Sequence, residues 1–336
     1  MNILASLRYL AALAEHRHFG RAAAACHITQ PALSNALRAL EAEFGVAIVR
    51  RGRAYAGLTP EGEQVLASAH RMLHEQERLQ QQLRSEAGQP RGRLRMAAVP
   101  TAMPLLSRFA ARLRARHPGI VPTVLSMSSL ELEAGLDHLA IDLALGYTGR
   151  QGPAARGLQT WPQLAEHYVL LGRAPAATTP APPRPPRASR AAPPALAQAQ
   201  TEPIGWAEAA RLPLCLLTPE MHNRAIVDAA FAAAGASPVV PAIETNSVLT
   251  LVVAVQAGDV CAVLPGAMAD TVRGQAGLQA RPLVAPEVRT PIGFMAPAAV
   301  RPSLALQAAI ALLQSADWLA EVQAHGGLPG AVPDPR

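Results

Sequence analysis

Apolar and polar positions follow two different rhythms along the chain. Up to about residue 85, apolar residues recur every three or four positions, which is the period of an amphipathic helix. Beyond that point, short apolar runs alternate with helical stretches in two blocks, residues 94–146 and 212–264. Strands that alternate with helices are typical of parallel sheets. The pattern therefore predicts an α/β fold in which a helical N-terminal part precedes two sheet-containing lobes.

The stretch from Thr59 to about Ser85 predicts one long helix. Thr59 stands at the N-cap position and Pro60 at the first helical position, where its missing N–H costs nothing. An apolar stripe runs along the helix at three- and four-residue steps and includes Leu66, Leu73, Leu79 and Leu83. We expect these leucines to dimerise the protein, because such a rod cannot bury its stripe alone. Packing against the chain's own body is the alternative.

Residues 18–44 predict two helices joined by a tight turn. Thr29 caps the second helix, and its inward face carries leucines at helical spacing. The opposite face presents Gln30, Pro31, Ser34, Asn35 and Arg38. In a major groove Gln and Asn can pair with adenine, and Arg can pair with guanine. This face therefore predicts binding to double-stranded DNA.

A basic hairpin is predicted directly after this second helix. Short apolar strands at residues 46–49 and 55–58 flank a turn that carries Arg50, Arg51 and Arg53. Arginines on such a wing meet phosphates or enter a minor groove, and a solvated turn is the alternative. Seven arginines against three glutamates give residues 1–58 a positive charge, and the whole chain carries +6. The charge favours a polyanionic partner.

These features together resemble the LysR-type transcriptional regulators. The resemblance rests on LRYLAALAEHRHFGRAAAACHITQPALSNALRALEAEFGVAIVRRG and on LTPEG, which opens the long helix. It implies an N-terminal winged helix-turn-helix, a dimerising linker helix and a two-lobed effector domain that resembles periplasmic binding proteins. It also implies an operator DNA, a small-molecule effector and a homodimer or homotetramer as the partners. Asn35 and Val49 depart from residues common in the family, which implies a different base preference.

The resemblance and the composition divide the chain in the same way. We expect a DNA-binding domain at 1–58, a linker helix at 59–88, a first effector lobe at 92–166 to which 286–320 returns, a second lobe at 167–285, and a loose tail at 326–336. Residues 175–203 hold nine prolines and nine alanines, which predicts a disordered insertion in the second lobe.

Hydroxyl side chains at predicted helix starts indicate an effector cleft. Helix N termini at the carboxyl ends of parallel strands carry free N–H groups that favour anions. The candidates are Pro100, Thr101, Ser128 and Ser129 in the first lobe and Thr218, His222, Asn246 and Ser247 in the second. Plain N-capping is the alternative for each. Their convergence favours a small anionic metabolite; part of the N-terminal sequence also resembles regulators of formate dehydrogenase operons, although no residue supports formate itself.

Other functions lack their sequence signatures. The chain has no nucleophile elbow, no phosphate-binding or dinucleotide-binding glycine loop and no zinc-protease motif, so we expect no enzyme, no catalytic residues and no cofactor. His70 and His74 lack further ligands nearby, so we expect a solvated pair and no metal. Cys26, Cys215 and Cys261 form no CxxC, and the latter two lie in apolar runs that predict inert thiols. No signal peptide or membrane span is apparent, which favours the cytoplasm.

Overall fold

The computed structural model describes residues 2–50, 52, 55–84, 90–149, 157–174, 202–236, 238–272, 275 and 277–325. The described helices are α1 (Ile3–His16), α2 (Phe19–Ala25), α3 (Gln30–Phe44), α4 (Pro60–Arg84), α5 (Met103–Arg116), α6 (Ser129–Asp137), α7 (Trp206–Ala209), α8 (His222–Ala233), α9 (Val248–Ala257), α10 (Gly266–Val272), α11 (Leu304–Leu313) and α12 (Ala316–His325). The described strands are β1 (Gly92–Ala98), β2 (Ile120–Ser126), β3 (Leu143–Tyr147), β4 (Leu158–Glu166), β5 (Tyr168–Arg173), β6 (Ile204–Gly205), β7 (Leu214–Leu217), β8 (Ile243–Thr245), β9 (Cys261–Pro265), β10 (Leu278–Val284) and β11 (Thr290–Pro297).

The first three helices and the start of α4 enclose one small core. Leu10, Leu33 and Leu40 are fully buried in it, together with Ala69 from α4. Leucines three and four positions apart lie on one face of a helix, so α3 buries one side and leaves the other to solvent. Gly45, with a φ of 68°, ends α3 in the left-handed conformation that glycine adopts without strain.

The linker helix α4 begins directly against the hairpin that follows α3. The Thr59 hydroxyl accepts a hydrogen bond from the Gly62 N–H at 2.9 Å and donates to the Ala47 carbonyl at 2.5 Å. Gly62 lies so near the hairpin that a Cβ there would stand 2.1 Å from the Ile48 carbonyl oxygen. The helix start and the hairpin therefore form one packed unit.

The first lobe is built on a five-stranded sheet in the order β2-β1-β3-β11-β4. The strands β1, β2 and β3 are parallel, whereas β11 runs antiparallel to both β3 and β4. In its core the Phe109 ring contacts those of Phe294 and Trp318, with centroids 4.7 and 5.1 Å away. The C-terminal residues thus complete the lobe that β1 begins.

The second lobe contains a six-stranded sheet in the order β6-β10-β5-β9-β7-β8. Its two faces have separate cores, and successive residues of β5 and β7 alternate between them. Two strands adjoining the lobe boundary, β4 and β5, are separated by His167 alone. None of the described helices is both long and apolar enough to cross a membrane.

Both sheets correct the expectation of purely parallel lobes. The predicted β-α-β blocks supply the parallel strands, but β4, β5, β10 and β11 were not predicted and make the antiparallel ladders. Residues 175–201 of the predicted insertion and the predicted tail lie outside the described residues.

Candidate DNA-binding surface and interlobe site

The outward face of α3 carries the predicted DNA-reading side chains. The Thr29 hydroxyl caps the helix by accepting the Ala32 N–H at 3.4 Å. Leu33, Leu37 and Leu40 bury the opposite side. The predicted residues Gln30, Pro31, Asn35 and Arg38 are exposed, and Ser34 is half-buried.

Two of these side chains are hydrogen-bonded to each other. Arg38 Nη1 donates to Asn35 Oδ1 at 3.2 Å. The two residues are one helical turn apart, and the bond holds both polar groups over the same part of the surface. An amide and a guanidinium side by side offer the donors and acceptors that base edges in a major groove match.

The hairpin after α3 is shorter than predicted. Its pairing consists of one antiparallel bridge, Val49 to Leu58, and the Arg50 N–H donates to the Gly57 carbonyl at 3.0 Å. Thus, instead of two four-residue strands, the described part has one bridge. Arg50 is exposed at the start of the turn, whereas Arg51 and Arg53 lie outside the described residues.

A carboxylate that the sequence analysis did not single out fixes the hairpin to α3. Glu41 Oε1 accepts the Ile48 N–H at 2.8 Å and the Val49 N–H at 3.1 Å. Hydrogen bonds from backbone N–H groups to a carboxylate are stronger than those between neutral groups. Glu41 therefore sets the position of the wing relative to the recognition face.

The four leucines predicted to dimerise the protein have different environments. Leu66 packs against the N-terminal core, and Leu73 is half-buried. Leu79 and Leu83 are 52% and 76% exposed. The first part of the stripe therefore packs against the chain's own N-terminal domain, which was the alternative to dimerisation. The second part is exposed.

The linker helix also contacts the first lobe. His74 and Asp142 are buried and in contact, with 3.3 Å between Nδ1 and Oδ1, and Asp142 Oδ2 accepts the Arg95 N–H at 2.7 Å. The pKa of His70 is lowered to about 4, mainly by burial and then by the charges of Arg95 and His138. The expectation that His70 and His74 form a solvated pair is wrong, because the fold covers both with the lobe.

Between the two lobes a set of polar side chains meets. Tyr147 OH and Thr101 Oγ1 are 3.1 Å apart, and Tyr168 OH and Thr290 Oγ1 are 3.4 Å apart. Asn223 Nδ2 donates to both phenols, at 3.1 and 3.3 Å. Since Tyr147 belongs to the first lobe's sheet and Asn223 to α8 of the second lobe, this network joins the lobes. We call these five residues, together with Glu166, the interlobe site.

The predicted effector residues lie in different environments, and only two of them are at the interlobe site. Thr101 lies in the interlobe site, and the His222 ring packs edge-on against Tyr147 with centroids 4.9 Å apart. Ser128 and Ser247 instead cap α6 and α9 through their hydroxyls. The remaining residues have these positions: Pro100 begins a 3-10 turn, Ser129 is buried at the start of α6, Thr218 follows β7, and Asn246 is exposed before α9.

Most of the interlobe site was missed by the sequence analysis. These five residues lie on five different elements, and no spacing connects them: Tyr147, Glu166, Tyr168, Asn223 and Thr290. The one available signal was Glu166, a carboxylate that follows Leu164 and Ala165 and comes two residues before the apolar run of β5. A charged residue that is buried in this way needs a partner or a change of pKa.

Burial dominates the electrostatics of the interlobe site. It raises the pKa of Glu166 to about 8. The pKa of Tyr147 is raised to about 12, first by burial and then by the Glu166 charge, against the opposing effect of its hydrogen bonds. The pKa of Tyr168 is also raised, again mainly by burial. At neutral pH both phenols are therefore protonated.

The two cysteines of the second lobe cannot pair as they are placed. Leu214 is opposite Cys261 in the ladder between β7 and β9, so Cys215 is one residue out of register. Cys215 faces one core and Cys261 packs against the other, because successive side chains point to opposite faces. Burial raises the pKa of both thiols. Within the described residues, no cluster of three or more His, Cys, Asp or Glu is placed to hold a metal ion.

Comparison with protein families identifies the two parts of the chain. Residues 4–63 match the family described as bacterial regulatory helix-turn-helix protein, lysR family, and residues 87–318 match the LysR substrate binding domain. The chain belongs to the LysR family. Both the predicted family and the predicted fold class are confirmed.

A LysR-family relative is the probable hydrogen peroxide-inducible genes activator of Mycobacterium xenopi. It is 36% identical over 143 residues, which cover 42% of this chain and 76% of that protein. Three further curated relatives are matched over only 40 to 48% of their own length. The chain thus spans about half the length of those LysR-family relatives.

Two solved LysR-family structures share the fold. A full-length OxyR variant from Pseudomonas aeruginosa has a TM-score of 0.63 at 23% identity, covering 91% of this chain and 95% of that chain. Full-length CbnR in complex with its target DNA has a TM-score of 0.61 at 20% identity, covering 92% and 97%. The likeness extends over the helix-turn-helix, the linker helix and both lobes.

Proposed function

We propose that this protein is a sequence-specific, DNA-binding transcriptional regulator that responds to a small molecule bound between its two lobes. The observation that most directly supports this proposal is the outward face of α3. Gln30, Asn35 and Arg38 are exposed there, opposite three buried leucines. The family match over both parts of the chain supports the proposal. In this proposal the protein regulates transcription and catalyses no reaction. It acts in the cytoplasm, where the operator DNA lies.

Each part of the chain has its own task in this proposal. Residues 1–58 bind DNA, and 59–88 join two copies so that two recognition helices meet two half-sites. The first lobe, 92–166 with 286–320, and the second lobe, 167–285, hold the effector. Pro31 and Ser34 support base reading, while Arg51 and Arg53 join Arg50 on phosphates.

The effector is a separate question, for which the residues favour a small carboxylate, while formate comes only from the resemblance of the N-terminal sequence. That expectation rests on free N–H groups at helix starts. The starts of α6 and α9 are capped by Ser128 and Ser247, and Glu131 accepts the Ser128 N–H at 2.8 Å. A carboxylate already occupies the start of α6, so this helix offers less to an anion.

The DNA-reading role is tested with operator DNA selected by the purified protein from a random duplex library. Gln30→Ala and Arg38→Ala are each expected to weaken binding to the selected DNA by about 1–3 kcal/mol, and to leave random duplex nearly unchanged. Arg116→Ala, an exposed arginine at the end of α5, is the matched control. Equal affinities of all variants for selected DNA in an anisotropy titration would refute the proposal.

A further inference from the structure

A buried carboxyl without a hydrogen-bond partner lies in the interlobe site. Glu166 is the last residue of β4 and is 1% exposed. Its Oε2 is completely buried, and among the described residues no donor reaches it. An unpaired buried polar atom costs about 1–3 kcal/mol, and more when it is charged. The protein bears this cost at the point where the chain crosses from one lobe to the other.

The donors around Glu166 are already used. Asn223 gives its two Nδ2 protons to the phenols of Tyr147 and Tyr168. Each phenol oxygen therefore accepts from Asn223 and forms a second hydrogen bond with a threonine hydroxyl, Tyr147 with Thr101 and Tyr168 with Thr290, in which either oxygen can be the donor. The network satisfies its own members, and none of its donors lies within hydrogen-bond distance of the buried Glu166 Oε2.

No cation of the described chain offsets the charge of Glu166. Burial is the single cause of its raised pKa, so no arginine or histidine lowers it. Arg224, next to Asn223 in sequence, donates to Asp228, Glu244 and the Leu217 carbonyl instead. The potential of the interlobe site is therefore negative when Glu166 is ionised.

We propose that the effector of this protein carries a cationic nitrogen, an ammonium or protonated amine, which donates to Glu166 between the lobes. The inference rests on the proposed interlobe effector site and names the chemical class of its ligand. Charge-assisted bonds from an ammonium to a buried carboxylate are the strong kind. Such a group supplies the missing donor and the missing positive charge at once, whereas an anion supplies neither.

Binding of this ligand is coupled to a proton. A carboxyl with a pKa of about 8 is mostly protonated at pH 7, and it must ionise to pair with an ammonium. The ligand therefore displaces about one proton per site at pH 7, and its affinity rises as the pH approaches 8. The titratable groups around Glu166 are Tyr147 and Tyr168, which stay protonated there, His222 against Tyr147, and the adjacent His167, whose pKa burial lowers.

The test uses the full chain and two probe series, short alkylammonium ions and carboxylates of matched length. Titration calorimetry at pH 7 in two buffers of different ionisation enthalpy measures affinity and proton release together. We expect an ammonium probe to bind with release of about one proton, and Glu166→Gln to lose about tenfold or more in affinity and all of the release. Glu208→Gln, an exposed glutamate on α7, is the matched control. The proton release of the unmodified protein is informative even if Glu166→Gln folds poorly.

The possible results distinguish failure of the cationic-ligand inference from failure of the proposed interlobe effector site. Binding of a carboxylate that Thr101→Ala weakens and Glu166→Gln does not would overturn the cationic ligand and keep the interlobe site. Binding that neither Thr101→Ala nor Asn223→Ala affects would overturn both. The ligand class is also wrong if no ammonium probe binds at millimolar concentration, or if one binds without releasing a proton.

Discussion

Individual residues fix the geometry of the DNA-binding part. Glu41 ties the hairpin to the recognition helix through two backbone N–H groups, and Gly62 lets the hairpin approach the linker helix. Neither residue carries the chemistry of DNA reading. Both determine where Arg50 stands relative to Arg38, and therefore whether one DNA duplex can meet both.

Gly62→Ala tests the close approach. Helix propensity alone predicts a gain of about 1 kcal/mol from this change inside α4. The added Cβ would stand 2.1 Å from the Ile48 carbonyl oxygen, a backbone atom, so steric strain of about 1–3 kcal/mol is expected to dominate. Urea unfolding should show a net loss for Gly62→Ala and little change for Gly205→Ala, where no atom lies nearer than 4.0 Å. Stabilisation by Gly62→Ala would contradict the packing described.

Arg50→Ala tests the wing. If Arg50 meets a phosphate, its loss should weaken binding to selected and random DNA about equally. The slope of log K against log salt should also become shallower by about 0.9, since one counterion fewer is released. Salt titrations of both duplexes measure this, with the exposed Arg211→Ala as control. A loss confined to the selected duplex would mean that Arg50 reads bases.

At the scale of elements, α4 has two halves with different partners. Its first half packs on the N-terminal core, where Arg8 Nη2 of α1 donates to Gln76 Oε1 at 3.2 Å. Met72, 50% exposed, lines an apolar groove of about 410 Å³ with Leu7 and Phe44. The groove continues the exposed stripe of Leu79 and Leu83 along the same helix. We propose that a second copy of the chain covers this continuous apolar surface.

Leu79→Glu with Leu83→Glu tests the dimer. Two charges on the exposed half of the stripe should turn the dimer into a monomer at micromolar concentration, because apolar area is lost and like charges face each other across the two-fold axis. Light scattering after size exclusion measures the mass. Leu130→Glu, at a leucine of α6 that is 69% exposed, should leave the dimer intact. If the Leu79→Glu/Leu83→Glu variant is still a dimer, the exposed half of α4 is not part of the dimer interface.

At the scale of the whole molecule, two polar contacts connect separate parts of the chain. His74 and Asp142 link α4 to the first lobe, and Asn223 with Tyr147 links the lobes. A ligand can shift such a molecule only by its different affinity for the two arrangements. The interlobe contacts are formed in the described geometry, and a ligand that pairs with Glu166 gains affinity only where they are formed.

His70 makes the docking of α4 on the first lobe sensitive to pH. Its pKa is about 4 when docked, below the ordinary 6.5, so the undocked state binds more protons between these values. Docking should be fully stable above pH 6.5 and weaken as the pH falls toward 4. Urea unfolding between pH 7 and 5 should show a smaller decline for His70→Gln than for the unmodified protein. His27→Asn, at an exposed histidine, is the control, and an unchanged decline in His70→Gln would argue against the buried imidazole.

The recognition helix and the linker helix were predictable because their signals are local. Capping by Thr29, the leucine spacing of α3 and the Thr59–Pro60 start of α4 each act within one or two turns, where sequence distance and spatial distance agree. The same holds for the parallel β-α-β units, whose partners follow one another along the chain. The family could be identified from these segments alone.

Only the tertiary structure decided the interlobe site and the partners of α4. The interlobe site forms because β11 returns to the first sheet and the start of α8 places Asn223 against Tyr147, and no local periodicity records such long-range contacts. His70 and His74 have the spacing of a solvated pair, and the first lobe buries them. The sequence determined which elements form and which faces are apolar, since these follow from nearest neighbours. The environment and charge of the buried polar groups required the packed fold, because desolvation depends on everything that surrounds an atom.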